Sequence, residues 1–336
     1  MKIDFARLAK PRLLSALTCA AALVLLNPVQ QAFAQAWPQR PVTVVVPFPA
    51  GGNTDTMARL ASEFLTQRLG QQFIVENRPT AGGTVASAQI ARGTPDGYTL
   101  MFASAGQTTI SPMLQKVNYD AANDFVPVSI LGTGPFVLGV RSTLPVNNIT
   151  EFLEFARKYK DKLNVSSAGQ GSIGHLTSGL LAKRAGYEVV FVPYQGGGPA
   201  MNALLNHEVD MYFGNASELL QHADGGRIKI LAVSSLERMK QLPNTPTIAS
   251  IYPGFETSSW NGFLVQKGTP QEIVDRLQNE VIAAARDPKI AGRLDALGIR
   301  PIGSTAKEMA ETMAKERPVY AEAVEAAGLM QTRKTP

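Results

Sequence analysis

Residues that most often carry chemistry are sparse in this chain of 336 residues. There is one cysteine, Cys19, and there are three histidines, His175, His207 and His222. No HExxH, GxSxG or paired-cysteine spacing joins them to a partner, so no metal site and no nucleophile–base pair can be read here. Gly169 to Gly174 (GQGSIG) does match GxGxxG between a strand and a helix. A dinucleotide site would also need an acidic residue at the end of the next strand. That strand ends Val192-Pro193-Tyr194-Gln195, and Glu188 lies at its beginning. The chemistry better served by these residue types is anion capture. A Gly-rich turn that leads into a helix presents unpaired backbone N–H groups at the positive end of the helix dipole. Pro47 to Asp55 (PFPAGGNTD) is one such turn and Gly169 to His175 a second.

The elements that hold these turns follow from hydrophobic periodicity. Val42–Val46 is a β-branched run without alternation, as in a strand covered on both faces. Met57, Leu60, Ala61, Phe64 and Leu65 recur at helical spacing after it, with Asn53 and Thr54 as candidate caps and Asp55 in the first turn. Strands follow at 72–76 and 98–103, with a helix from Gly82 to about Arg92 between them. Strand–helix–strand–helix–strand at this spacing implies a parallel sheet with ligand loops beyond the carboxyl ends of its strands. Those loops are 48–55, 80–84 and 104–109. Phe125–Val140 is a double apolar run interrupted at Gly132–Pro135, as for a chain leaving one lobe for another. A helix at 150–160 precedes a second βα series, with strands at 163–167, 189–193, 209–213 and 228–233, and helices at 173–184 and 200–206. Ser258–Val265 reads as a strand crossing back. Thr269 to Glu272 and Thr305 to Glu308 have capping-box spacing at the head of C-terminal helices. The expected fold is α/β, with two βα lobes and a ligand cleft between them.

Single residues in these loops carry more than one reading. Asp55 stabilises a helix start with or without a ligand; it either holds the loop or meets a ligand hydroxyl or amine. His175 either orients the Gly-rich loop or touches the ligand. Phe48 and Tyr194 either pack in the core or against a solute.

Residues 1–34 have the layout of a secretory leader. Lys2, Arg7, Lys10 and Arg12 precede the apolar run 13–26, and Ala32-Phe33-Ala34 offers a cleavage site, with Ala36 as an alternative. Cys19 sits inside the apolar run rather than at its end, which argues against lipidation. The leader holds four basic residues and one acidic, so the net charge of +5 falls to +2 without it. No basic cluster remains for nucleic acid, and no later stretch is apolar for long enough to span a bilayer. An exported chain left without cysteine fits a periplasmic globule whose core needs no disulfide.

The motifs together carry a resemblance. Trp37-Pro38 with Pro41, PFPAGGNTD at 47–55, ENRPTAGGT at 76–84 and TPDGYTL at 94–100 are followed by NDF at 123–125, GQGSIGHL at 169–176 and VPYQGGGPA at 192–200. PNTPT at 243–247, SSWNGFLVQKGTP at 258–270 and AGL at 327–329 complete the series. In this order they resemble the Bug-type periplasmic solute-binding receptors of tripartite tricarboxylate transporters. The resemblance implies a two-lobed periplasmic-binding-protein fold of type II topology. Its lobes would be 37–139 plus 259–336, and 140–258. It implies a monomer that closes on a small carboxylate solute (a di- or tricarboxylate, an amino acid or an aromatic acid) and hands it to membrane components of the transporter. Neither catalysis, cofactor nor metal is implied. An alternative is a sensor that reports occupancy to a membrane kinase; a cleft hydrolase or nucleotide enzyme is a third reading. Carried onto this sequence, the family's ligand loops fall on Phe48, Ala50, Gly51, Gly52 and Asp55, then on Gly171, Ser172, Gly174 and His175. Ser104, Gln107, Thr108, Tyr194 and Gly196 would meet the solute's other end, and Asn215 is expected to reach the cleft.

Overall fold

The computed structural model describes residues 37–159 and 161–329. The expected leader, with its cleavage site and Cys19, lies outside the described residues. No helix among the described residues is long and apolar enough to cross a membrane.

In chain order the elements are β1 (Val42–Val46), α1 (Asn53–Leu69), β2 (Phe73–Asn77), α2 (Thr84–Ala91), β3 (Thr99–Ala103), the short α3 (Ser111–Leu114), β4 (Phe125–Arg141), α4 (Ile149–Lys158), β5 (Leu163–Ser167), α5 (Ile173–Ala185), β6 (Val189–Pro193), α6 (Gly197–Leu205), β7 (Met211–Asn215), α7 (Ala216–Leu219), β8 (Ile228–Val233), β9 (Ser258–Gln266), α8 (Gln271–Arg286), α9 (Pro288–Ala296), β10 (Arg300–Pro301) and α10 (Ala306–Ala326). β1 is buried at every position except Thr43, as its unalternating sequence demands. It pairs in parallel with β2 on one side and β3 on the other. β5 repeats this arrangement between β6 and β7. Each group therefore ends its parallel strands in βα loops on one edge, which is where a ligand loop belongs.

The expected interruption at Gly132–Pro135 does not occur. β4 is one strand of 17 residues that changes partners instead of breaking. From Phe125 to Pro135 it runs antiparallel to β9; from Phe136 onward its partners are β7 and β8. Gly132 and Thr133 are also paired by β10, so the glycine-rich stretch is held from both sides. The full strand order is β2-β1-β3-β9-β4-β7-β5-β6, with β8 and β10 added beside β4. Phe102 and Phe263 meet edge to face at 4.8 Å where β3 and β9 pair. α10 packs on β4 and, just past its end, Ala327 lies against Gly179 of α5.

Other boundaries move for local reasons. The strand expected at 209–213 is β7, two residues later. Asp210 is taken up by the turn, its carboxylate accepting from Arg141 Nε and from the N–H of Asn164, both at 2.8 Å. The helix expected at 200–206 begins at Gly197, so two of the three loop glycines are helical. The capping box expected at Thr269 does not form, because Thr269 Oγ1 donates to the Gln266 carbonyl and Pro270 occupies the N-cap. The box at Thr305 does form, with Glu308 Oε2 accepting from the Thr305 N–H at 2.7 Å.

Candidate functional site

The first loop leaves buried β1 and turns at Gly51, whose φ of +81° is costly for any residue with a Cβ. The helix starts one residue earlier than expected: Gly52, not Asn53 or Thr54, is the N-cap of α1, and no side chain caps it. Asn53 and Thr54 instead reach across to other elements. Asn53 Oδ1 accepts from Ser217 Oγ at 3.0 Å, and Thr54 Oγ1 donates to Asn261 Oδ1 at 2.6 Å. Asp55 holds the loop. Its Oδ2 accepts from the Gly51 N–H at 2.8 Å and from Arg59 Nε at 3.0 Å, and its Oδ1 from Asn77 Nδ2 at 2.9 Å. Burial alone would raise the Asp55 pKa, but the bonds from Arg59, Gly51 and Asn77 outweigh it and hold the carboxyl below its ordinary value.

The second loop is built without a charge. Ser172 is the N-cap of α5 and its Oγ accepts from the His175 N–H at 3.4 Å. His175 Nδ1 accepts from the Gly171 N–H at 3.3 Å, while the ring stacks on Phe191 with centroids 3.8 Å apart. The imidazole is 3 % exposed, and burial lowers its pKa to about 4, so it is neutral near pH 7. Gly174 lies so close to the chain of β7 that a Cβ there would sit 2.1 Å from the Phe213 carbonyl oxygen.

These two loops face a cleft of about 370 Å³. Of the expected site residues, Phe48, Ala50, Gly51, Gly52, Ser104, Ser172, Gly174, Gly196 and Asn215 line it. A wider region of about 550 Å³ shares Phe48, Ser172 and Gly196 and adds Gln107, Gly171 and Tyr194. Asp55, Thr108 and His175 do not line either region; all three are buried behind the wall. For Asp55 and His175 this geometry matches loop-holding, one of the two roles open to each. Thr108 Oγ1 donates to the Ser104 carbonyl, and Gln107 Nε2 to the Gly82 carbonyl, tying 104–108 to the neighbouring loop.

Phe136, Tyr212, Phe213, Glu218 and Ser259 also line the cleft and were not expected there. Glu218 follows Asn215 at capping-box spacing, which is the one sequence signal that could have found it. Its Oε2 accepts from Tyr212 Oη at 2.7 Å and from the Asn215 N–H at 3.1 Å, and its Oε1 from Asn215 Nδ2 at 3.2 Å. Burial raises its pKa against the pull of these bonds. Neither lining, among the described residues, contains a lysine or arginine. The wall is made of backbone, hydroxyls, side-chain amides and aromatic rings, with Glu218 as its one carboxylate among the described residues and the N-termini of α1 and α5 as its electropositive part.

Comparison with known proteins agrees with this architecture. Residues 57–329 match the tripartite tricarboxylate transporter family receptor, TctC. An R. palustris protein solved with adipate is 32% identical, with a TM-score of 0.84 over 87% of this chain and 99% of its own. The periplasmic binding protein BugD is 36% identical, with a TM-score of 0.81 over 88% and 99% of the two chains. MatC from Rhodopseudomonas palustris with bound malate is 33% identical, with a TM-score of 0.79 over 86% and 100%. These are solute-binding proteins rather than enzymes, and their fold is the two-lobed α/β architecture. With the matched region covering most of its length, the chain belongs to the tripartite tricarboxylate transporter receptor family.

Proposed function

We propose that this chain is a periplasmic receptor that closes on one small carboxylate and delivers it to the membrane components of a tripartite tricarboxylate transporter. The observation that carries the reading is the pair of opposed loops: two Gly-rich helix starts, at Gly51–Asn53 and Ser172–Gly174, line one cleft that contains no basic side chain. An anion there is stabilised by backbone amides, the Ser172 hydroxyl and two helix dipoles. Side-chain cations would be redundant, and their absence keeps the cleft easy to empty. The lobes are 37–139 plus 259–336, and 140–258. The change of partners along β4 after Pro135 supports that division, and so does β9, which brings the chain back from the second group to pair with β3 and with the first part of β4.

Thermal unfolding of the mature protein against a panel of small carboxylates tests the proposal. A ligand that binds only the folded state adds about 2.7 kcal/mol at a hundredfold excess over its Kd. For about 300 residues the midpoint should rise by a few degrees with at least one acid. No shift with any carboxylate would remove the receptor reading. Co-purification with the transporter's membrane components, enhanced by that acid, tests delivery.

A further inference from the structure

We propose that Glu218 sets the specificity of the cleft: it accepts a hydrogen bond from the far end of the solute, so the cargo is a carboxylate whose other end carries a hydroxyl or an ammonium rather than a second carboxylate. The inference deepens the receptor reading above and rests on it.

Glu218 lines the same cleft as the two helix starts. A carboxylate offers about four acceptor positions. Three are used, by Tyr212 Oη, the Asn215 N–H and Asn215 Nδ2. One is left. The group is also locked in place. A Cβ at residue 197 would sit 2.0 Å from Glu218 Oε1, and one at residue 214 would sit 2.8 Å from Oε2. Glycine at both positions is therefore what admits the carboxylate between them. A rigidly held acceptor with spare capacity at a cavity wall is suited to reading a donor.

The position of Gly197 gives the cleft its polarity. Gly197 is the first residue of α6, so Glu218 sits at the positive end of that helix and answers its dipole. Among the helix starts around the cleft, those of α6 and α7 meet the Glu218 carboxylate in the cavity wall; the anion of α1, Asp55, is turned behind the wall and satisfied by Gly51, Asn77 and Arg59, and the first turn of α5 has none. One wall thus attracts the solute carboxylate and another presents a negative acceptor. A second solute carboxylate beside Glu218 would meet like charge with no lysine or arginine in the wall to offset it. A hydroxyl or ammonium would fill the remaining acceptor position. The simpler role of Glu218, closing a capping box on the four residues of α7, needs neither a place in the cavity wall nor the two flanking glycines.

The test is calorimetric titration of the mature protein near neutral pH with length-matched acids. Succinate, glutarate and adipate are each compared with the monocarboxylates of equal chain length that end in a methyl, a hydroxyl or an ammonium group. The tightest ligand should end in hydroxyl or ammonium and exceed both its methyl and carboxylate counterparts by about tenfold, the value of a hydrogen bond to a charged acceptor. Glu218→Gln keeps the volume and an acceptor for Asn215; it should lose the ammonium preference and tighten the matching dicarboxylate by about tenfold. A wild-type protein that prefers the dicarboxylate at every length overturns the inference, whether or not the variant folds, and leaves the receptor reading intact. An unchanged order of affinities in a folded Glu218→Gln also overturns it. Failure of every acid to bind removes both.

Discussion

The loops after β1 and β5 reach the same end by different chemistry. Each is a strand, a Gly-rich turn and a helix start facing one cleft. The first is held by an ionised carboxylate, Asp55, which collects the Gly51 N–H, Asn77 and Arg59 while the N-cap, Gly52, has no side chain. The second is held by neutral groups, with Ser172 as cap and the buried His175 ring bonded to Gly171. A fixed negative charge in the first turn of α1 opposes an anion at its N-terminus, so that charge has to be satisfied by the protein, and it is, by Gly51, Arg59 and Asn77. The second loop carries no such burden and packs closely against β7. The first loop is therefore expected to tolerate added atoms and to resent lost charge; the second should behave the other way round.

The largest effect tests packing. Gly174→Ala forces a methyl to within 2.1 Å of the Phe213 carbonyl oxygen, a backbone atom that can move only with β7. Destabilisation of about 3 kcal/mol in urea unfolding, with loss of carboxylate binding, is expected. Gly52→Ala in the first loop meets nothing closer than the Pro49 oxygen at 3.7 Å, and its φ of −80° suits any residue. It should cost no more than about 1 kcal/mol. Equal effects from the two substitutions would erase the distinction between the loops.

Acid titration separates the loops next. His175 has its pKa lowered from 6.5 to about 4 in the folded protein. The unfolded chain binds the extra proton first, so stability falls as the pH drops from about 6.5 toward 4, by up to about 3 kcal/mol. Half-buried Glu316, which accepts from Trp260 Nε1 at 2.6 Å, works against this, its pKa raised by desolvation to about 7. Its contribution is full below about 4.5 and is lost as the pH rises through 7. Glu218 shifts in the same direction. The two signs offset each other in the whole protein, so the difference between wild type and His175→Asn is the informative quantity. That difference should climb between pH 4 and pH 6.5 and be flat above. For Asp55 the window lies lower: its stabilisation is present above the unfolded value of 3.8 and is lost as the pH falls through the depressed folded value. Asp55→Asn should cost about 2 kcal/mol near neutral pH, chiefly through Gly51 and Asn77, because the Arg59 side chain is half exposed and its ion pair is screened. Denaturant titrations on either side of pH 3.8 check both the size and the window.

Much of this comparison is legible in the sequence, and what escapes it is tertiary. The unalternating valines of β1, the helical spacing after Gly52 and the restart of the pattern at 163 are local, and they place both loops. The direction of each loop side chain is not local. Asn53 has the residue type of a cap yet turns to Ser217, 164 positions away, because the chain of α7 comes within reach of it. Asp55 and His175 occupy ligand-loop positions but point inward, toward Asn77 and Phe191, which no motif spacing links to them. Glu218 escaped because its environment comes from Gly197, Tyr212 and Gly214 together, two of them glycines whose meaning is the space they leave. The expected break in β4 failed for the same reason: glycine and proline at 132–135 read as punctuation, whereas neighbours on both sides hold the strand straight through.

The smallest effects are the most discriminating about why the caps differ. Ser172→Ala removes an acceptor for the His175 N–H, and the bond is long at 3.4 Å, so the loss should be under about 1 kcal/mol. The reciprocal change, Gly52→Ser, supplies α1 with the cap it lacks and should gain a few tenths of a kcal/mol. If caps served only helix stability, both variants would bind carboxylate as the wild type does. If the bare start of α1 exists to leave its amides to the solute, the new hydroxyl at residue 52 would occupy that acceptor-seeking space. Gly52→Ser would then be more stable and bind more weakly, by severalfold in calorimetric titration. A variant that gains stability and keeps its affinity would show that the Gly52 cap is an accident of loop geometry, and that the second loop alone holds the carboxylate.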